Sequence, residues 1–143
     1  MPSLSATVAT GVFFVMALCG ANGDGKLVGA KSPLTAHDLE EPSLLALGYA
    51  IATHFDASSL NKQSVFTSAE IVSGTKQVVA GMRYDLTVHL FATECEQNVD
   101  SPPSAEHPCT QIGEPICVVE ASVWSRPWMG APIITLGTEK CRR

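Results

Sequence analysis

The chain has 143 residues, a formal net charge of −5 at pH 7 and five cysteines. This length suits a single domain. The acidic balance and the lack of a basic stripe exclude the surfaces that bind nucleic acid or an anionic membrane, so neither is expected as a partner. The hydrolase motif G-x-S-x-G and the zinc-peptidase motif H-E-x-x-H do not occur in the sequence. We therefore do not expect an enzyme, a cofactor or a metal site.

An apolar segment near the amino terminus predicts export from the cell. Residues 8–19 read VATGVFFVMALC, which is too short to span a bilayer as a helix, and the small residues Gly20 and Ala21 follow. This pattern is typical of a secretory signal cleaved before Asn22, although no Lys or Arg precedes it. The alternative is a buried terminal strand or helix. We predict a signal peptide over residues 1–21 and a secreted, extracellular domain over residues 22–143.

A polar arm and one long helix come next. Residues 22–33 read NGDGKLVGAKSP and predict a mobile segment, here called the arm. From Pro42 to about Ser58, apolar and small residues recur at helical spacing, which predicts an amphipathic helix with one buried face. That face consists of Leu44, Leu47, Gly48, Ile51, Ala52 and Phe55.

Strand patterns fill the second half of the chain. They cover residues 65–76, 84–90, 116–124 and 133–138, and a proline-rich loop separates the second from the third. Gly74 is expected to mark a bulge. In the second run, alternation places Tyr84, Leu86, Val88 and Leu90 on the face that covers the helix. The predicted fold class is α+β, with one long helix packed across a twisted antiparallel sheet.

The cysteines predict two disulfides. Cys19 lies in the predicted signal, which leaves an even set of four in a small secreted domain. Three pairings are possible for four cysteines. A hairpin that turns at residues 127–130 brings Cys117 opposite Cys141, so Cys95 then pairs with Cys109. A zinc site at His107 would compete with this disulfide, and no thiol remains free to act as a nucleophile.

The tip of the first predicted hairpin is unusually apolar. It reads Gln77-Val78-Val79-Ala80-Gly81 and is here called loop 1. Hairpin tips normally consist of Gly, Asn, Asp or Pro, which adopt turn conformations and remain solvated. An exposed apolar tip is costly unless a partner buries it. Loop 1 is therefore predicted to bind another molecule.

Two further segments are expected at the same end of the sheet. In a meander of this order, the turn that contains Pro127-Trp128, here called loop 2, lies at the same end as loop 1. The arm, which carries Leu27-Val28-Gly29, approaches the helix from that end if the first strand lies beside it. Three partly apolar segments would then stand in a row.

These segments resemble those of a secreted type 2 cystatin, a cysteine protease inhibitor. The family's central pattern Gln-x-Val-x-Gly is matched by residues 77–81, its Pro-Trp pair by residues 127–128, and the glycine of its arm by Gly29 after Leu27 and Val28. The two predicted disulfides also agree with the family. The chain departs from the family in two places. The stretch between Cys109 and Cys117 is shorter than usual, and both arms of the second hairpin are about two residues longer than usual.

The resemblance implies a reversible, tight-binding inhibitor of papain-like cysteine proteases, such as those of cathepsin L, S or B type. In that mechanism the arm and both loops form a wedge that fills the active-site cleft. The inhibitor is expected to act as a monomer and to have no catalytic residues. The alternative is a cystatin-fold carrier or interaction module that does not inhibit.

Some type 2 cystatins also inhibit legumain through an asparagine after the helix. Asn61 stands at the corresponding position, and its neighbours Leu60 and Lys62 differ from those usual in legumain inhibitors. An asparagine that ends the helix in a turn is the preferred interpretation.

Overall fold

The computed structural model describes residues 29–58, 65–97, 104 and 106–142. The predicted signal peptide, Leu27, Val28 and Asn61 lie outside the described residues. Within these ranges, no helix is both long enough and apolar enough to cross a bilayer.

Two helices precede the long strands. Helix α2 spans Pro42–Ser58, which confirms the predicted helix. A short helix, α1, spans Ala36–Leu39 and was not predicted. It begins with a capping box in which the amide of Asp38 donates to Oγ1 of Thr35 at 3.2 Å and the amide of Thr35 donates to Oδ2 of Asp38 at 2.8 Å. This reciprocal pair satisfies two amides that a helix start otherwise leaves free.

The strands form one antiparallel sheet in chain order. The four long strands are β2 Val65–Val79, β3 Gly81–Glu96, β4 Gln111–Ser125 and β5 Ile133–Cys141. They confirm the predicted α+β fold and extend further than the strand patterns indicated. A two-residue strand, β1 Ser32–Pro33, adds a fifth member beside β2.

Strand β1 corrects the prediction that the arm is mobile throughout its length. Ser32 lies opposite Lys76, and Pro33 lies opposite Thr75. The amide of Leu34 then donates to the carbonyl oxygen of Gly74 at 2.9 Å. Two residues are too few to show a strand period, and Pro33 is tolerated because β1 is an edge strand. The carboxyl-terminal part of the arm is therefore fixed to the sheet.

Strand β4 also begins earlier than predicted. Gln111 and Ile112 pair with β3 even though prolines surround this stretch. The register then shifts between Leu90 and Ala92, where β4 contains additional residues that include Pro115. A proline at such an irregularity removes no ladder hydrogen bond, so the strand continues past it.

Gly74 does not mark the bulge that was expected there. The register of β2 shifts earlier, between Ile71 and Ser73. Gly74 instead faces Leu86, and a Cβ atom at this position would lie 2.4 Å from the carbonyl oxygen of Asp85. The glycine is needed because the two strands approach closely.

The core lies between α2 and one face of the sheet. The alternation in β3 is confirmed, since Leu86, Val88 and Leu90 are buried and Tyr84 packs against the same cluster. Each fully buried aliphatic side chain contributes roughly 1.5–3 kcal/mol relative to an exposed one. The helix supplies Leu44, Leu47, Ile51 and Phe55, and β4 supplies Cys117, Val119, Ala121 and Val123.

Both disulfides are present with the expected pairing. Cys117 and Cys141 are register partners on β4 and β5, and their Cα atoms are 4.0 Å apart. Cys95 and Cys109 close the excursion between β3 and β4, with Cα atoms 5.8 Å apart. Each bond stabilises the fold by roughly 3 kcal/mol because it restricts the unfolded chain.

Candidate functional site

Loop 1 forms the tight turn between β2 and β3. Val79 and Gly81 are register partners, which leaves Ala80 at the tip. The side chain of Val78 is 56% exposed and that of Val79 is 39% exposed. Gly81 has a φ of +94°, and a Cβ atom there would lie 2.3 Å from the carbonyl oxygen of Ser125. Only glycine fits this position, because it tolerates both the positive φ and the close approach of β4.

Loop 2 is a single 3₁₀ turn over Pro127–Met129. Pro127 opens the turn, where its missing N–H costs nothing, and the amide of Met129 donates to the carbonyl oxygen of Arg126 at 2.9 Å. The side chains of Trp128 and Met129 are 65% and 59% exposed. Loop 2 therefore presents two large apolar side chains on a short, hydrogen-bonded turn.

The arm meets loop 1 at Gly29. The side-chain amide of Gln77 donates a hydrogen bond of 2.6 Å to the carbonyl oxygen of Gly29. A Cβ atom on Gly29 would lie 3.7 Å from the carbonyl oxygen of Val78. The φ of Gly29 is +91°, a conformation that a residue with a side chain rarely adopts. The arm therefore turns sharply where it passes loop 1.

An ion pair fixes the arm to the outer face of the sheet. Nζ of Lys31 lies 2.6 Å from Oδ2 of Asp85, and the hydroxyl of Ser122 donates to Oδ1 of Asp85 at 3.0 Å. These contacts, the one from Lys31 foremost, hold the pKa of the Asp85 carboxyl below its usual value.

A second ion pair connects the sheet to the start of α1. Lys76 donates to Oδ1 of Asp38, the carboxyl that also accepts from the Thr35 capping box. The hydrogen bond from Lys76 lowers the pKa of Asp38 far below its usual value, and the same bond raises the pKa of Lys76. The residues that follow Gly29 are thus held on both faces of the sheet.

The structure brings three segments to one end of the molecule. Gly29, loop 1 and loop 2 are here called the loop edge. Both hairpin turns lie at this end because β2 to β5 are neighbours in chain order, and Gly29 joins them through Gln77. The predicted site residues Gly29, Gln77, Val78, Val79, Ala80, Gly81, Pro127 and Trp128 all lie on the loop edge.

The loop edge is uncharged and largely apolar. None of its side chains is acidic, basic or a thiol. Among the described residues, no cluster of three or more potential metal ligands occurs. The loop edge instead offers exposed apolar side chains on short turns, a composition typical of surfaces that are buried against another protein.

Comparison with known proteins identifies the family. The family model of the Cystatin domain matches residues 45–124. The chain belongs to the cystatin family. A cystatin-C from Paralichthys olivaceus is 35% identical over 132 residues, covering 91% of this chain and 97% of its own length. A cystatin from Oncorhynchus mykiss is 33% identical over 117 residues, covering 81% of this chain and 84% of its own.

Solved cystatin structures share the fold. The salivary cystatin from the soft tick Ornithodoros moubata superposes with a TM-score of 0.57 at 20% identity, covering 80% of this chain and 98% of its own. Dimeric human cystatin F gives a TM-score of 0.60 at 16% identity, covering 87% and 95%. The cystatin family is a family of cysteine protease inhibitors and not of enzymes.

Three residues on or beside the loop edge were not predicted as site residues. Met129 is exposed beside Trp128, and its signal was its place in the same turn. Trp124 and Arg126 precede loop 2, and the guanidinium of Arg126 lies 4.1 Å from the centre of the Trp124 ring. The sequence pattern identifies Trp124 only as the last residue of a strand. Its position on the solvent face, one strand away from loop 1, was the available signal.

Proposed function

We propose that the mature domain is a secreted, reversible and tight-binding inhibitor of papain-like cysteine proteases of cathepsin L, S or B type. The observation that carries this proposal is the loop edge, where an apolar hairpin tip, an exposed tryptophan and the turning point of the arm stand together. Such an edge is suited to a long, narrow cleft, because its segments follow one another in strand order along one end of the sheet.

Each segment has its own part in the proposed wedge. Leu27 and Val28 occupy apolar pockets on one side of the catalytic cysteine. Gly29 turns the chain away, in keeping with its positive φ, so no peptide bond is presented for cleavage. Loop 1 obstructs the other side of the cleft. Trp128 lays its ring on an apolar wall there, as tryptophans often do at the centres of interfaces.

The binding energy comes from preformed shape. Loop 1 is closed by the ladder of β2 and β3, and loop 2 is closed by a backbone hydrogen bond. Because little chain entropy is lost on docking, an interface of roughly 1,600 Å² suffices for tight binding. No covalent bond to the protease is required, so inhibition is reversible.

The two disulfides support export of the domain. Such bonds persist in oxidising compartments and are rare in the reducing cytosol. We therefore propose that residues 1–21 act as a signal peptide and that residues 22–143 form the mature inhibitor. Inhibition of legumain through Asn61 stays a prediction.

A binding experiment with blocked papain tests the wedge. Papain whose catalytic cysteine carries a small alkyl group keeps its cleft and loses its nucleophile. We expect the oxidised domain to bind this enzyme with submicromolar affinity and to be recovered uncleaved. Val79→Asp places a charge on the tip of loop 1 and should abolish binding, whereas Ile112→Asp, an exposed residue at the far end of β4, should not. If both variants bound alike, loop 1 would not lie in the cleft and the wedge would be wrong. If the unmodified domain did not bind, a non-inhibiting module would be favoured.

A further inference from the structure

Trp124 lies on the outer face of the sheet, away from the core. It is the penultimate residue of β4, opposite Arg83 on β3 and Ile133 on β5. The neighbouring residue Val123 is fully buried on the other face, whereas the Trp124 side chain is 37% exposed. Core packing therefore does not account for a tryptophan at this position.

The indole of Trp124 is bonded to the tip of loop 1. Its Nε1–H donates to the carbonyl oxygen of Ala80 at 2.9 Å. Ala80 stands at the turn of the hairpin, where the ladder of β2 and β3 has ended. Among the described residues, this is the one side-chain hydrogen bond that reaches residues 78–81.

Arg126 closes the same junction. Its guanidinium lies over the Trp124 ring, 4.1 Å from the centre, which is within the range of a cation–π contact. A Cβ atom on Gly81 would lie 3.2 Å from Cγ of Arg126 and 2.3 Å from the carbonyl oxygen of Ser125, so loop 1 passes directly against this stretch. Residues 124–126 thus contact loop 1. They also lead directly into Pro127, the first residue of loop 2.

We propose that Trp124 is a positioning residue for inhibition, which holds the tip of loop 1 at a fixed place relative to loop 2. This inference rests on the proposed function. The ring itself need not touch the protease. Its N–H anchors a carbonyl that the ladder leaves free, and Arg126 keeps the ring in the orientation that the hydrogen bond requires. Both loops then enter a cleft as one rigid unit.

The size of the effect follows from one hydrogen bond. A neutral hydrogen bond contributes a net amount that corresponds to roughly a fivefold change in an equilibrium constant. Loss of the bond frees the tip, and the tip must then be ordered again on docking. We expect Trp124→Phe to weaken inhibition of papain roughly 5- to 20-fold, while Ile112→Ala on the same strand changes nothing.

A double-mutant cycle separates positioning from general stability. If Trp124 acts through loop 1, Trp124→Phe should weaken inhibition of papain much less in a Val78→Ala/Val79→Ala background, where loop 1 contributes little to binding. In a Trp128→Ala background, Trp124→Phe should weaken inhibition by the full factor, because Trp128 makes a separate contact with the protease. If Trp124→Phe weakened inhibition by the same factor in both backgrounds, the proposal would be overturned.

A shape-matched replacement and a spectroscopic readout complete the test. Benzothienylalanine at position 124 keeps the ring shape and lacks the N–H, so it should weaken inhibition as Trp124→Phe does. Inhibition equal to that of the unmodified chain would overturn the proposal. In ¹⁵N-labelled protein, Trp124→Phe should shift the amide signals of residues 79–81 and leave those of α2 in place. If the unmodified chain failed to inhibit papain, the proposed function would fail, and these shifts would still report whether Trp124 positions loop 1.

Discussion

The side-chain amide of Gln77 donates a 2.6 Å hydrogen bond to the carbonyl oxygen of Gly29. A residue of loop 1 thus holds the turning point of the arm, although the two lie far apart in sequence. The bond connects two of the three segments of the loop edge within the free protein. In the proposed wedge, Gln77 therefore holds the arm in the conformation in which it docks.

Replacing Gln77 with leucine tests this connection. Gln77→Leu keeps the size of the side chain and removes the donor, so the arm loses one restraint. We expect inhibition of papain to weaken roughly fivefold, the value of one net hydrogen bond. The matched control is Gln111→Leu, since Gln111 donates to Ser68 Oγ at 3.0 Å at the far end of the sheet. The effect of Gln77→Leu should vanish once residues 22–28 are removed, and its persistence would contradict the assigned role.

The ion pair between Lys31 and Asp85 should withstand acid. The pKa of Asp85 is lowered, chiefly by Lys31, so the carboxylate stabilises the fold above its unfolded pKa of about 3.9 and loses this contribution only as the pH falls through the lower folded value. We expect the carboxyl carbon signal of Asp85 to titrate below pH 3.9 and the pair to be intact at pH 5.

A lysine substitution gives the comparison for that titration. Lys31→Met should move the Asp85 midpoint upward, whereas Lys140→Met, an exposed lysine on β5, should leave it unchanged. Equal midpoints in all three proteins would show that the pair does not form in solution.

The arm is expected to act on the lifetime of the complex. Removing residues 22–28 deletes apolar, short-range contacts, which stabilise a bound state more than they speed its formation. We therefore predict faster dissociation from papain with little change in the association rate, measured by surface binding kinetics. Gly29→Trp should have a similar effect because its φ of +91° disfavours any side chain. A truncated protein that dissociates as slowly as the full domain would exclude the arm from the interface.

Trp128 is expected to be an energetic centre of the interface. Trp128→Ala should weaken binding by about 2 kcal/mol, or roughly 30-fold, because an exposed tryptophan on a rigid turn buries a large apolar area on docking. Leu45→Ala is the control, since Leu45 is similarly exposed on α2. The free energy of unfolding should change little in either variant. Equal inhibition by the two variants would rule out a contact through loop 2.

Most of the fold could be predicted because its patterns are long. Helix α2 has a clear apolar stripe, and β3 alternates over many residues, so both were found. Strand β1 and helix α1 were missed because two or four residues show no period. Each has only a local signal in the sequence. For β1 it is a proline of the kind found on edge strands, and for α1 it is the capping pair Thr35 and Asp38. The early start of β4 was hidden by Pro115, which normally indicates a loop.

The candidate site could be predicted only in part. Loop 1 and loop 2 are visible in the sequence because apolar residues at a turn contradict the usual composition of turns. The contacts that hold them are not visible, since Gln77 to Gly29 and Trp124 to Ala80 depend on how the chain crosses itself in space. A polar residue in a turn or a tryptophan in a strand can make many different contacts. The register of the sheet determines which contact forms.

Titration of papain with the oxidised domain of residues 22–143 shows whether the loop edge closes the cleft of a papain-like protease. We expect a loss of activity that is complete at one inhibitor per active site, with an inhibition constant on the order of nanomolar or below. Activity should return on dilution, because no covalent bond forms. Papain that keeps its full activity in the presence of micromolar domain would show that the loop edge does not close the cleft.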